Sequence, residues 1–89
     1  MENKISTITP TLGNCVVRLD TEERVMALDS GITLFGTIVK MGDHWPEYEQ
    51  KFGDGDRVKL MHSNDQKFEE EDGTYIVTPF SNIQGYWKS

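Results

Sequence analysis

Asp29-Ser30-Gly31-Ile32-Thr33-Leu34-Phe35-Gly36 follows a charged run from Asp20 and leads into Thr37-Ile38-Val39-Lys40-Met41-Gly42. Its centre is apolar, and the glycines at 31 and 36 open conformations closed to other residues. An apolar triplet beside a polar lead is either the start of a buried strand or an exposed docking peptide. Past the triplet, the β-branched content of Gly36–Gly42 predicts a strand. Before it, Val25 and Leu28 would fit one helical turn capped by Thr21. That run is too short to hold a helix alone, so the reading is a mobile loop over about 20–35.

On the N-terminal side, Cys15, Val17 and Leu19 alternate with Asn14, Val16 and Arg18, the pattern of a half-buried strand. Pro10 fixes a turn ahead of it, and Met1 to Thr9 reads as a loose leader. On the C-terminal side, Pro46 excludes a central strand from a loop over about 43–52. Phe52-Gly53-Asp54-Gly55-Asp56 is turn chemistry. Arg57 to Met61 resumes alternation, with Val58 and Leu60 inward. Asp72-Gly73 is a tight-turn pair that can close a hairpin between Phe68 and Thr74–Thr78. Pro79 to Asn82 makes a bend, and Ile83 to Trp87 is a last apolar segment. Short strands joined by glycine turns, without a convincing helix, predict an all-β fold. A small antiparallel β-barrel is the economical way to satisfy the strand edges.

With 89 residues the chain is expected to form one domain, 1–89, with a single small core. Nine Lys and Arg stand against fifteen Asp and Glu, a net charge of −6. Nothing clusters the basic residues into the patch that nucleic acid requires, and a membrane surface is disfavoured for the same reason. The polar opening lacks the apolar core of a secretory signal. The lone Cys15 excludes an intrachain disulfide, and the expected location is cytoplasmic.

Candidate chemistry is thin. Cys15 with His44 or His62 has the residue types of a thiol nucleophile and its base, but Cys15 lies on the Val17–Leu19 face and reads as a structural core thiol. Asp54-Gly55-Asp56 and Glu69-Glu70-Glu71-Asp72 lack the ligand spacing of a calcium loop and read as solvated turns. Gly53-Asp54-Gly55 lacks the Lys and Ser/Thr of a phosphate-binding loop. Trp45, Tyr48 and Phe52 have acidic neighbours and read as packing residues, within the loop or against another copy. No catalytic residue, metal or cofactor is expected, and the chain is not read as an enzyme.

Taken in order, the motifs from Ile8 to Trp87 resemble the GroES family of co-chaperonins. Ile8-Thr9-Pro10, Leu12 and Cys15-Val16-Val17-Arg18 resemble the family's Ile-x-Pro-Leu opening and Val-rich first strand. Ser30-Gly31-Ile32-Thr33-Leu34 resembles its Gly-Gly-Ile-Val-Leu. Phe35 to Gly42 resembles Arg-Gly-Glu-Val-x-x-Val-Gly, and Lys51 to Val58 resembles Val-Lys-Val-Gly-Asp-x-Val. Asp72–Val77 resembles a Glu-Glu-aliphatic hairpin, and Ser81-Asn82-Ile83 resembles Ser-Asp-Ile.

The resemblance implies a GroES-like barrel with a mobile loop, assembled as a homo-heptameric ring. That ring would cap a GroEL-type chaperonin and enclose unfolded client proteins. ATP would be bound by the chaperonin, not by this chain. Docking would carry over to Gly31, Ile32, Thr33 and Leu34, with Val25, Met26 and Leu28 as the fallback in the same loop. Subunit contacts would carry over to Val16, Ile83, Tyr86 and Trp87, with Ile83–Trp87 pairing the first strand of a neighbour near Thr11–Val16. The chain departs from the pattern by lacking the stretch after the triplet, by Thr33 in place of Val, by a roof hairpin shortened to His44–Lys51 and by an acidic segment, Asn64–Glu71. Some bacteriophages encode abbreviated co-chaperonins of this kind, which would place the protein in a host cytoplasm. The competing reading is a small β-barrel adaptor with no chaperonin partner, in which Ile32-Thr33-Leu34 is buried strand.

Overall fold

A computed structural model describes residues 3–20, 34–47, 49–61 and 66–88. Among them the fold is all-β, with two single-turn 3-10 helices at Ile5–Thr7 and Phe80–Asn82. The strands are β1 (Asn14–Leu19), β2 (Leu34–Met41), β3 (Arg57–Leu60), β4 (Phe68–Glu70), β5 (Gly73–Pro79) and β6 (Ile83–Trp87). They form one antiparallel sheet in the order β4-β5-β1-β2-β3-β6.

That order forces the sheet to curl. β5 and β6 are four strand positions apart, roughly 19 Å across a flat sheet. Yet the chain passes from Pro79 to Ile83 through one 3-10 turn, which advances only about 2 Å per residue. The two ends meet only if the sheet wraps into a barrel. Two backbone hydrogen bonds extend the neighbouring ladders into this link: Met61 N–H donates to Asn82 O at 2.9 Å beyond the β3–β6 pairing, and Phe80 N–H donates to Gly13 O at 2.8 Å beyond the β1–β5 pairing. The barrel is closed by this link and by its core, not by a continuous ladder: no β4–β6 pairing occurs among the described residues.

The core lies inside the curl. Cys15, Val17 and Leu19 point inward from β1, as their alternation predicts, and meet Ile38, Val58, Leu60, Ile76, Phe52 and Phe80. Phe52 packs edge-on against Phe80 with ring centroids 5.8 Å apart. The turn at 53–56 is built by its carboxylates. Asp56 accepts from Gly53 N–H at 3.0 Å, and Asp54 accepts from Met41 N–H at 3.0 Å.

Three expectations need correction. First, the segment before Pro10 is folded from Ile5 to Thr7 and lies against β1, β4 and β5. Ser6 donates to Glu70 through both its amide (3.1 Å) and its hydroxyl (2.6 Å). Second, Val16 is 0% exposed. It lies on the face of β1 opposite Cys15, Val17 and Leu19, and both edges of β1 are paired within the chain. It therefore presents neither side chain nor edge to a neighbouring subunit. Third, β2 starts at Leu34, not Gly36. Leu34 pairs with Leu60 and packs against the core, so it is a strand residue rather than part of a free docking triplet.

Gly36 pairs with Leu19 where β2 lies tight against β1. A Cβ there would lie 2.6 Å from both the Arg18 carbonyl oxygen and Val17 Cγ1, whereas a Cβ on Gly85 would meet nothing within 4 Å. Gly36→Ala should therefore destabilise the fold by about 1–3 kcal/mol in urea unfolding, and Gly85→Ala by less than about 0.5 kcal/mol. Equal midpoints for the two variants would refute this packing.

Ser6 also makes a pH-dependent prediction. Its hydroxyl bond to Glu70 is the main reason that carboxyl titrates below its ordinary value. A carboxylate with a depressed folded-state pKa stabilises above its unfolded pKa and loses that contribution as pH falls through the folded value. The N-terminal turn should stay docked at neutral pH and loosen on acidification below the ordinary glutamate range. The Ser6 amide resonance reads this out, and Glu70→Gln should remove most of the pH dependence.

Candidate functional site

Three places on the barrel bear on the expected roles. The first is the end where β1 stops and β2 begins. Asp20 follows β1, and its N–H donates to Phe35 O at 2.9 Å. The end of β1 and the start of β2 are therefore joined at one point. Arg57, at the start of β3, reaches over the same point. Its Nη2 lies 2.6 Å and its Nε 3.2 Å from Asp20 Oδ2. Its guanidinium also sits 5.1 Å from the Phe35 ring centroid and 5.3 Å from that of Trp87. The two rings are tilted, 6.2 Å apart. Gly31, Ile32 and Thr33, with the fallback Val25, Met26 and Leu28, lie outside the described residues. Of the docking residues expected from the resemblance, Leu34 alone is described.

The second place is β6. One edge pairs with β3, and the other pairs with no described strand. Beside it runs a groove floored by Phe52, Ile83 and Tyr86, with Glu49 and Lys51 at its rim. Ile83 is half-buried against the core, while Tyr86 is 38% and Trp87 51% exposed. Exposed apolar side chains recur near the start of the chain, at Ile8 (41%) and Leu12 (47%). The expected contact strip thus keeps Ile83, Tyr86 and Trp87 at the surface and loses Val16.

The third place is the connection from β2 to β3. Trp45 lies over Gly13: a Cβ on that glycine would stand 2.5 Å from its ring. Gly13 also has a positive φ of 81°, which favours glycine. Trp45 is thus a packing residue within its own chain. Phe52 belongs to the core, while Tyr48 lies outside the described residues.

Candidate catalytic groups do not assemble among the described residues. Cys15 is fully buried, and burial pushes its thiol up to about 12. A thiol so far from ionisation carries little of the thiolate that nucleophilic chemistry requires. His44 is exposed, with its ring against the Trp45 carbonyl, and His62 is not described. No cluster that would hold a metal ion occurs among the described residues. The carboxylates of Asp54 and Asp56 each accept a backbone N–H, Asp54 from Met41 of β2 and Asp56 from Gly53 of its own turn.

The sequence matches no protein-family model, and no curated protein is significantly similar to it. No described helix is long and apolar enough to cross a membrane.

The Arg57 cluster is not apparent from local sequence. Asp20, Phe35, Arg57 and Trp87 share no spacing, and they meet only once the strand order is known. Cys15, by contrast, reads as core from alternation alone. It should resist a thiol reagent in the native protein and react within minutes in denaturant. Fast native labelling would place it at the surface.

Proposed function

We propose that the protein is a co-chaperonin: a ring of β-barrels that caps a GroEL-type chaperonin and encloses client proteins. The observation that carries this reading is the placement of residues 21–33. They are inserted between two adjacent central strands whose ends are tied together at one end of the barrel. A peptide leaving a rigid scaffold from fixed roots suits docking to a partner surface. The ordered resemblance to the GroES family adds to this, as does the spare edge of β6 with its exposed aromatics. A spare strand edge is a means of head-to-tail assembly. Many weak contacts presented by one ring bind well together and still release.

Docking is assigned to Gly31, Ile32 and Thr33, with Val25, Met26 and Leu28 as the second candidate. Leu34 passes from docking to anchoring. Ring contacts are assigned to Ile83, Tyr86 and Trp87, facing the exposed Ile8–Leu12 stretch of a neighbour. That stretch precedes β1, whose own edges are occupied. A heptamer, a cytoplasmic setting and a bacteriophage source follow from the resemblance.

One observation favours the second reading, a barrel adaptor without a chaperonin. Leu34 belongs to β2 and packs on the core, so a strand continuing back through Ile32 would leave no docking triplet.

Titration against a GroEL-type chaperonin with nucleotide separates the two. Ile32→Asp should weaken binding at least tenfold and leave the thermal midpoint unchanged, while Leu34→Asp should unfold the barrel. If Ile32→Asp also unfolds it, the triplet is core. If Val25→Asp with Leu28→Asp is the change that removes binding, docking belongs to that earlier run. A wild-type protein that stays monomeric at high concentration and binds no chaperonin would favour the adaptor.

A further inference from the structure

We infer that Arg57 is a positioning residue that fixes the roots of the docking segment. This rests on the reading that residues 21–33 dock onto a protein partner. Four elements meet at its guanidinium. Asp20 comes from the end of β1, Phe35 from the second residue of β2, Arg57 from the first residue of β3, and Trp87 from the last residue of β6. The guanidinium stands 5.1 Å and 5.3 Å from the two ring centroids and reaches the Asp20 carboxylate through two nitrogens.

The arrangement uses what is particular to arginine. A flat, delocalised cation stacks on aromatic faces while its edge donates to a carboxylate. A lysine ammonium can hold the ion pair but has no flat face to lay against the rings. The cluster does not belong to the core. The Arg57 side chain is 45% exposed and Trp87 51%, and a lone ion pair at such a surface contributes little to folding. What the cluster does hold is Asp20 and Phe35, the two positions joined by the Asp20 N–H bond to Phe35 O.

A segment whose roots are fixed samples less space and loses less entropy on binding. In a ring, fixed roots also aim each copy at its own place on a multivalent partner. Because Trp87 ends β6, the anchor links the proposed assembly edge to the proposed docking segment.

The test compares wild type with Arg57→Ala and Arg57→Lys in the full-length protein, first by amide hydrogen exchange and then by chaperonin titration. In Arg57→Ala the Asp20 amide should exchange about tenfold faster while amides at the centre of β1 stay protected. Affinity for the chaperonin should fall about tenfold with ring mass unchanged. Arg57→Lys should fall between wild type and Ala on both readouts. Unchanged Asp20 exchange in Arg57→Ala overturns the anchor, and so does unchanged affinity alongside faster exchange. Full rescue by Lys overturns the role of the rings. If wild type itself binds no chaperonin, the docking reading falls with its positioning role, while the exchange result still decides whether the cluster holds the roots. Should Arg57→Ala not fold, Asp20→Asn provides the same two readouts.

Discussion

The link from β5 to β6 governs this fold. Three residues, Phe80 to Asn82, join strands at sheet positions that would lie far apart if the sheet were flat. The chain cannot bridge that gap, so the sheet wraps. Wrapping produces an interior, and Phe80 within the link then meets Phe52 across it. The core of a chain this short depends on that closure, because a single open sheet of this size would leave its apolar face wet. β6, the strand that follows the link, pairs with β3 on one side and with no described strand on the other.

The strand order also brings side chains from four neighbouring segments together at one end. In a flat sheet Trp87 and Asp20 would lie far apart across β2 and β3. Here the Arg57 guanidinium bridges them, with Phe35 between. The residues proposed for assembly and for docking are therefore mechanically close, although they come from opposite ends of the chain.

Much of the fold is legible in the residues because its signals are local. Alternation in Asn14–Leu19 and Arg57–Leu60, the Asp72-Gly73 turn, and the break at Pro79 each mark an element that the structure contains. What was not legible depends on partners distant in sequence. Val16 sits on the polar face by alternation, yet it is fully buried, and the N-terminal turn is tied to β4 by a bond from Ser6 to Glu70. β2 begins at Leu34 because Leu60 faces it across the sheet, a pairing no window around Gly31–Gly36 contains. The Arg57 anchor is invisible for the same reason. The docking segment itself rests on resemblance and on where its roots lie.

The central claim is that residues 21–33 seat this barrel on a chaperonin. Electron microscopy of the protein mixed with a GroEL-type chaperonin and nucleotide tests it most directly. The account predicts a ring of small barrels over the end of the chaperonin, touching it through the segment that leaves each barrel between Asp20 and Leu34. Chaperonin particles with bare ends at saturating protein, or a complex formed through the opposite end of the barrel, would contradict it.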